Sequence, residues 1–166
     1  MTEDIFIKNY YFYGKHGRQI DELKNEKLFK RLMDVYLVAP IIGFIYKRNS
    51  PKDKSDESKN ILTETLIKEV EKIKYNYRLI MLLDEEYESD FNKRVDKAFR
   101  YIGSEKSLED FERFNSYVRG GIEILYENII EKSPTQDDYI KNYYEFIKKF
   151  QAVYNEDIQD LTTLYK

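Results

Sequence analysis

Residues 61–83 read ILTETLIKEVEKIKYNYRLIMLL, and this stretch decides the fold class. Its apolar residues recur every three or four positions over about six turns, which is the spacing of one face of an α-helix. The stripe consists of Ile61, Leu62, Leu66, Val70, Ile73, Tyr77, Ile80 and Leu83. This pattern predicts a long helix that buries one face in a helical bundle.

Similar helical spacing extends to both sides of this stretch, and no strand pattern competes outside the first dozen residues. The run 33–46 is almost wholly apolar and predicts a core helix, bent or broken just before Pro40 because proline removes a backbone donor. Amphipathic helices are predicted at 18–32, 91–102, 108–129 and 139–154, with a short terminal helix at 157–165. The chain is therefore expected to form one all-α domain over residues 1–166, an irregular bundle of five to six helices.

Two segments lack a helical stripe. Residues 1–17 are a candidate for an extended N-terminal arm, with a first helix turn over residues 4–13 as the alternative, and the chain is expected to break at the glycines of GKHG, residues 14–17. Residues 47–60 contain no apolar side chain and are rich in charge, which predicts a mobile polar loop.

Composition excludes several classes of protein. The longest apolar run is 12 residues, whereas a membrane-spanning helix needs roughly 20, so no membrane association is expected. The chain has no cysteine, which removes disulfides and thiolate nucleophiles and favours a cytoplasmic location. The net charge is −3, but residues 1–60 carry 12 basic against 9 acidic side chains, a mild basic bias.

The candidate catalytic groups are few. His16 is the only histidine, so histidine pairs and triads are excluded, and its position between two glycines favours a surface-loop imidazole over a general base or a phosphate contact. Glu123 and Glu127 lie one helical turn apart and could share a divalent ion, although a solvated helix face is the simpler interpretation. We therefore expect no catalytic residues, no metal and no cofactor.

Charged residues inside apolar stretches are more informative. Burying one unpaired charge costs several kcal/mol, so each needs a partner, a cavity or an interface. The simpler interpretation is internal pairing, for example Asp34 with Arg78. The alternative is a partner-binding surface that uses Arg78, Arg94, Arg100 and Arg119.

The adjacent Gly120 and Gly121 also need a reason, since each costs ~1 kcal/mol in a helix relative to alanine. Close helix approach, a kink or a ligand against the backbone could offset this cost. Close packing under the bulky aromatic side chains is the expected reason, and an interface that needs a flat backbone is the alternative.

Tyrosines interleave with lysines in KNYYFYGK, residues 8–15, where no periodicity assigns the aromatic rings to a core. Aromatic rings beside cations can stack on bases or dock a peptide. Tyr10, Tyr11 and Tyr13 are therefore predicted to bind a partner.

Four segments resemble small helical accessory proteins encoded in bacterial anti-phage or DNA-modification-linked operons. They are DVYLVAPIIGF at 34–44, YRLIMLLD at 77–84, RVDKAFR at 94–100 and YVRGG at 117–121. The resemblance covers roughly residues 20–130 and implies a non-catalytic subunit that works beside a larger ATPase or nuclease.

Two functions follow as hypotheses. The first is an interaction subunit of a larger bacterial complex, in contact through the four arginines and three tyrosines named above, because arginine and tyrosine often carry interface energy. The second is a nucleic-acid-binding module that uses the basic N-terminal third, namely Lys8, Lys15, His16, Arg18, Lys47 and Arg48.

Overall fold

The computed structural model describes residues 4–56 and 58–163, and for Tyr154 and residues 157–163 it describes the backbone alone. The described chain is mostly helical and forms an irregular bundle, which confirms the predicted fold class. The helices are α1 (Gly14–Asn25), α2 (Leu32–Ile45), α3 (Thr63–Leu83), α4 (Phe91–Val95), α5 (Leu108–Tyr126) and α6 (Asp138–Thr163). Helices α4 and α5 continue as π-helical turns at Asp96–Arg100 and Glu127–Glu131, and short 3-10 turns lie at Ile5–Ile7 and Glu105–Ser107.

Helices α2 and α5 form the centre of the bundle and approach each other very closely. A Cβ atom at Gly121 would overlap the backbone oxygen of Ala39 on α2, and one at Gly43 would overlap the backbone oxygen of Tyr117 on α5. A Cβ atom at Gly120 would likewise overlap the backbone oxygen of Arg48. The glycine pair is thus explained by close packing, as expected, because only a residue without a side chain fits at these contacts.

The predicted stripe of α3 largely faces the core. Leu66, Ile73, Tyr77 and Ile80 are buried, and Ile61 just before the helix is buried too. Leu62 is half exposed because it precedes the first helical residue. The apolar periodicity therefore located the helix and its buried face.

Helix α2 corrects the prediction at Pro40. The helix is continuous from Leu32 to Ile45 with Pro40 inside it, so a break at Pro40 is wrong, while a bend there stays a prediction. Pro40 is itself buried, and the packing of α2 against α5 holds the segment helical despite the lost donor. The preceding helix ends at Asn25, so the stripe predicted for 18–32 belongs to two separate elements.

Both segments that lacked a helical stripe contribute a strand. Strand β1 (Tyr10–Tyr13) pairs antiparallel with β2 (Ser58–Ile61), and Tyr10 lies opposite Ile61. Strand β2 has the polar sequence SKNI and three exposed residues, so its own composition carries no strand signal and its pairing with β1 defines it.

The predicted arm at 1–17 is packed rather than extended from the fold. Phe6 and Phe12 are buried in the core, and α1 begins at Gly14, where a chain break was predicted. Residues 1–3 of this arm lie outside the described residues.

The terminal helix also differs from the prediction. Helix α6 runs without interruption to Thr163, so the predicted separate helix at 157–165 is the end of α6, and its last two residues lie outside the described range. Tyr46 at the end of α2 stacks against Phe146 and Phe150, with ring centroids 6.2 and 6.4 Å apart, and these contacts join α6 to the bundle.

Candidate functional site

The start of α1 is held by a side chain from the polar loop. Gly14 adopts φ +51°, a backbone conformation that favours glycine, and a side chain there would collide with Asp53. The Asp53 carboxylate accepts hydrogen bonds from the backbone N–H groups of Lys15 (3.0 Å) and Ser55 (2.9 Å). These bonds hold the pKa of Asp53 below its usual range and place its negative charge at the positive end of the helix.

His16 follows one turn into α1 and is buried, with 1% of its surface exposed. Its Nε2 donates to the Glu123 carboxylate at 2.8 Å, while its Nδ1 has no partner among the described residues. The surface-loop interpretation of His16 is therefore wrong, because α1 starts at Gly14, four residues earlier than predicted, and turns the imidazole into the bundle.

Glu123 lies at the centre of a polar cluster. Lys15 Nζ binds one carboxylate oxygen at 2.7 Å, and the Ser50 hydroxyl donates to the other at 2.8 Å. Burial raises the pKa of Glu123, but the bonds from His16, Lys15 and Ser50 outweigh burial and lower it to about 2. The solvated-face interpretation of Glu123 is thus wrong, and its neighbour Glu127 instead binds Arg48 through two hydrogen bonds of 2.7 and 2.6 Å.

Arg119 connects α5 to the polar loop and to β1. Its Nε donates to the backbone oxygen of Ser50 at 2.8 Å, its Nη2 binds Glu112, and its guanidinium also lies in hydrogen-bonding reach of the Tyr10 hydroxyl. Burial raises the pKa of Tyr10 to about 12, although the charge of Arg119 opposes the rise. The loop predicted to be mobile is therefore anchored at Ser50 and Asp53, while its motion between these anchors stays a prediction.

A cavity of about 150 Å³ opens between β1, the start of α1, the polar loop and α5. Residues 9–13 form one wall, and His16, Lys52, Asp53, Glu112 and Arg119 complete the lining. Four of the seven residues predicted to bind a partner, Tyr10, Tyr11, Tyr13 and Arg119, thus line one cavity. Tyr11 is 42% exposed, so it is accessible from outside.

The other three predicted arginines lie elsewhere. Arg78 faces the ring of Phe99, with its guanidinium carbon 5.9 Å from the ring centroid, and Arg100 forms an exposed pair with Asp96 on its own helix. Asp34 binds Arg31 at 2.6 Å rather than Arg78, so the predicted Asp34–Arg78 pair is wrong. The two residues that were expected to pair each have a nearer neighbour.

Arg94 has a structural role, which the hydrogen bonds of its side chain show. It is buried and donates to the backbone oxygens of Leu82, Glu88 and Ser89 at 2.9–3.1 Å, which binds the segment between α3 and α4. Its Nη2 also reaches Glu85 at 3.1 Å. These bonds explain the burial of the Arg94 guanidinium without a partner protein.

Replacing Arg94 with leucine is expected to destabilise the protein by about 3 kcal/mol, because three backbone carbonyls lose the hydrogen bonds donated by a buried guanidinium. Urea unfolding measures this change. Arg100→Leu is the control, since its exposed pair should contribute less than about 0.5 kcal/mol. Equal losses for the two variants would contradict the structural role of Arg94.

Most residues of the nucleic-acid hypothesis already have partners inside the chain. Lys15 binds Glu123, Arg48 binds Glu127, and Lys47 lies 3.5 Å from Glu86. His16 is buried, and Lys8 and Arg18 also interact with other residues. The structure does not bring these six residues together as an uncompensated basic surface, and nucleic-acid binding stays a prediction.

The sequence interpretation missed four residues of this site: Ser50, Lys52, Asp53 and Glu112. Ser50 and Asp53 come from a segment assigned to mobile loop, and Glu112 stands on the exposed side of α5. Gly120 and Gly121 were the one local signal of this site, because adjacent glycines in a helix indicate that another segment passes close by. The backbone of Arg48 does so at Gly120.

No family model, curated protein or solved structure matches this chain. None of the described helices combines the length and the apolar character that a membrane span requires. Among the side chains that the structure describes, histidine, aspartate and glutamate form no group of three that could hold a metal ion. The interpretation of the site therefore rests on its own geometry.

Proposed function

We propose that this chain is a non-catalytic interaction subunit of a larger bacterial protein complex, and that its partner docks at the cavity beside β1. The observation that carries the proposal is the convergence of Tyr10, Tyr11, Tyr13 and Arg119 on that cavity. Tyrosine and arginine give large contact area and several hydrogen bonds at little conformational cost, which suits an interface.

The shape of the site also supports binding rather than catalysis. The imidazole of His16 is fully buried, and the Glu123 carboxylate already accepts three side-chain hydrogen bonds. A general base must reach the proton that it removes, and His16 and Glu123 are instead bonded to each other, with 1% and 8% of their surfaces exposed. Their contacts instead hold α1, the polar loop and α5 in fixed positions around the cavity.

The place of this complex in the cell is part of the proposal. The resemblance of residues 20–130 to accessory proteins of anti-phage and DNA-modification-linked operons supports a role in bacterial defence beside a larger ATPase or nuclease. A cysteine-free chain supports a cytoplasmic location.

Photo-crosslinking in cells that naturally express the chain tests this function. A benzophenone amino acid at position 11 should crosslink to one other protein, because Tyr11 is 42% exposed at the cavity rim. The same probe at position 75 is the control, since Tyr75 is 65% exposed but lies on α3 outside the cavity. No adduct from position 11, or the same adducts from both positions, would contradict the proposal.

A further inference from the structure

Helix α6 carries two apolar stripes, and the bundle covers only one of them. The covered stripe packs against the core and consists of Tyr139, Tyr143, Phe146 and Phe150. The second stripe begins with three exposed side chains, Ile140 (75%), Tyr144 (61%) and Ile147 (42%). Large apolar side chains that follow one another at every turn on the same helix face form a contact surface, unlike single apolar residues scattered over a protein.

The second stripe continues along the helix as a heptad repeat. With Tyr144 at an a position, the a and d positions are occupied by Ile140, Tyr144, Ile147, Gln151, Tyr154, Ile158 and Leu161. Six of these seven residues are apolar or aromatic, and α6 is continuous over all of them. An apolar repeat with this spacing, and with a single polar residue at an a position, is the pattern of one strand of a coiled coil.

Helix α6 also extends past its contact with the bundle. The backbone stays helical to Thr163, and exposed residues follow Phe150, namely Gln151, Ala152, Asn155 and Glu156. A helical segment of roughly a dozen residues is marginal in water unless one of its faces is packed. The second stripe gives this segment an apolar face that a partner helix can cover.

The charges of α6 favour a second copy of the same helix that runs in the opposite direction. Residues 138–150 carry three lysines against two acidic side chains, whereas residues 151–163 carry three acidic side chains and no basic one. An antiparallel pair places the basic half of each helix beside the acidic half of the other, and a parallel pair would place the two acidic halves together. The stripe also matches itself in the antiparallel register, because position 144 lies opposite 161 and position 147 lies opposite 158.

We propose that α6 forms an antiparallel, two-fold symmetric coiled coil with α6 of a second copy of this chain, through the stripe that begins at Ile140. A two-fold pair uses the same surface on both copies, so association stops at a dimer. Within the described part of the chain, no residue of α6 lines the cavity beside β1, so the dimer surface is separate from the docking site proposed above.

Sedimentation equilibrium of the full chain tests this dimer. The weight-average mass should rise with concentration from 20.2 kDa, the mass of one chain, towards twice that value. Tyr144→Glu should weaken self-association at least about tenfold, because each dimer would bury two unpaired carboxylates in the stripe. Ile67→Glu on α3 is the matched control and should leave association unchanged, since Ile67 is 51% exposed on another helix. Both variants should keep the wild-type circular dichroism, because both positions are exposed.

Disulfide formation reports the orientation of the two helices, because the chain has no cysteine of its own. A mixture of Tyr144→Cys and Leu161→Cys chains should form a disulfide between the two variants. Tyr144→Cys alone should form none, since its two copies would lie ~25 Å apart along an antiparallel pair. The mass of one chain at every concentration would overturn the proposal and leave a foreign helix as the occupant of the stripe. Unchanged association of Tyr144→Glu, or a disulfide from Tyr144→Cys alone, would overturn it as well.

Discussion

Gly121→Ala is expected to lower the free energy of unfolding by about 3 kcal/mol or more, although alanine usually stabilises a helix by about 1 kcal/mol relative to glycine. The sign reverses because the new Cβ would overlap the backbone oxygen of Ala39. Backbone cannot move aside as a flexible side chain can, so α2 and α5 would have to separate along their shared face. Urea unfolding followed by circular dichroism measures the change.

The control for this prediction is Lys68→Ala on α3, an exposed position where substitution with alanine should alter stability by less than about 0.5 kcal/mol. Gly43→Ala should behave like Gly121→Ala, because its Cβ would overlap the Tyr117 backbone oxygen from the other side of the contact. A stabilising effect of alanine at position 121 would show that the helices are farther apart than described.

The second large effect is expected at Glu123. Glu123→Gln should destabilise the protein by about 2–3 kcal/mol at neutral pH, since His16, Lys15 and Ser50 would lose a charged acceptor in a buried site. Glu127→Gln, one turn further along the chain, is the matched control. Its pair with Arg48 is half exposed, so the loss there should be below about 1 kcal/mol.

The loss at Glu123 should also depend on pH. A glutamate in the unfolded chain titrates near 4.5, whereas the folded pKa of Glu123 is about 2. The stabilisation is therefore present above pH 4.5 and is lost as the pH falls through 2, below which the carboxyl is protonated in both states. The stability difference between wild type and Glu123→Gln should shrink over that interval, and a constant difference would contradict the ionised cluster.

The helices could be predicted because their information is local. The stripe of α3 and the close approach at Gly120 and Gly121 are recorded in residue spacing and in residue type. Strand β2 could not be predicted, because its exposed polar residues become a strand only when β1 lies beside them. The break predicted at Pro40 is wrong for a similar reason, because tertiary packing keeps the segment helical although the local propensity of proline would break the helix.

The polar site was harder because its partners are distant in sequence. His16 and Glu123 are 107 positions apart, and Ser50 and Glu123 are 73 positions apart. One sequence shows that a charge in an apolar stretch needs a partner, but not which of many carboxylates supplies it. The partners of Arg94 could not be predicted either, because its main acceptors are backbone oxygens, which every residue type carries.

Binding of another protein at the cavity beside β1 can be measured by crosslinking from position 11 in the native cell. We expect one dominant adduct from position 11 that is absent from position 75 and reduced by Lys52→Gln but not by Lys54→Gln. The absence of any adduct from position 11, with the chain folded and expressed, would contradict the claim.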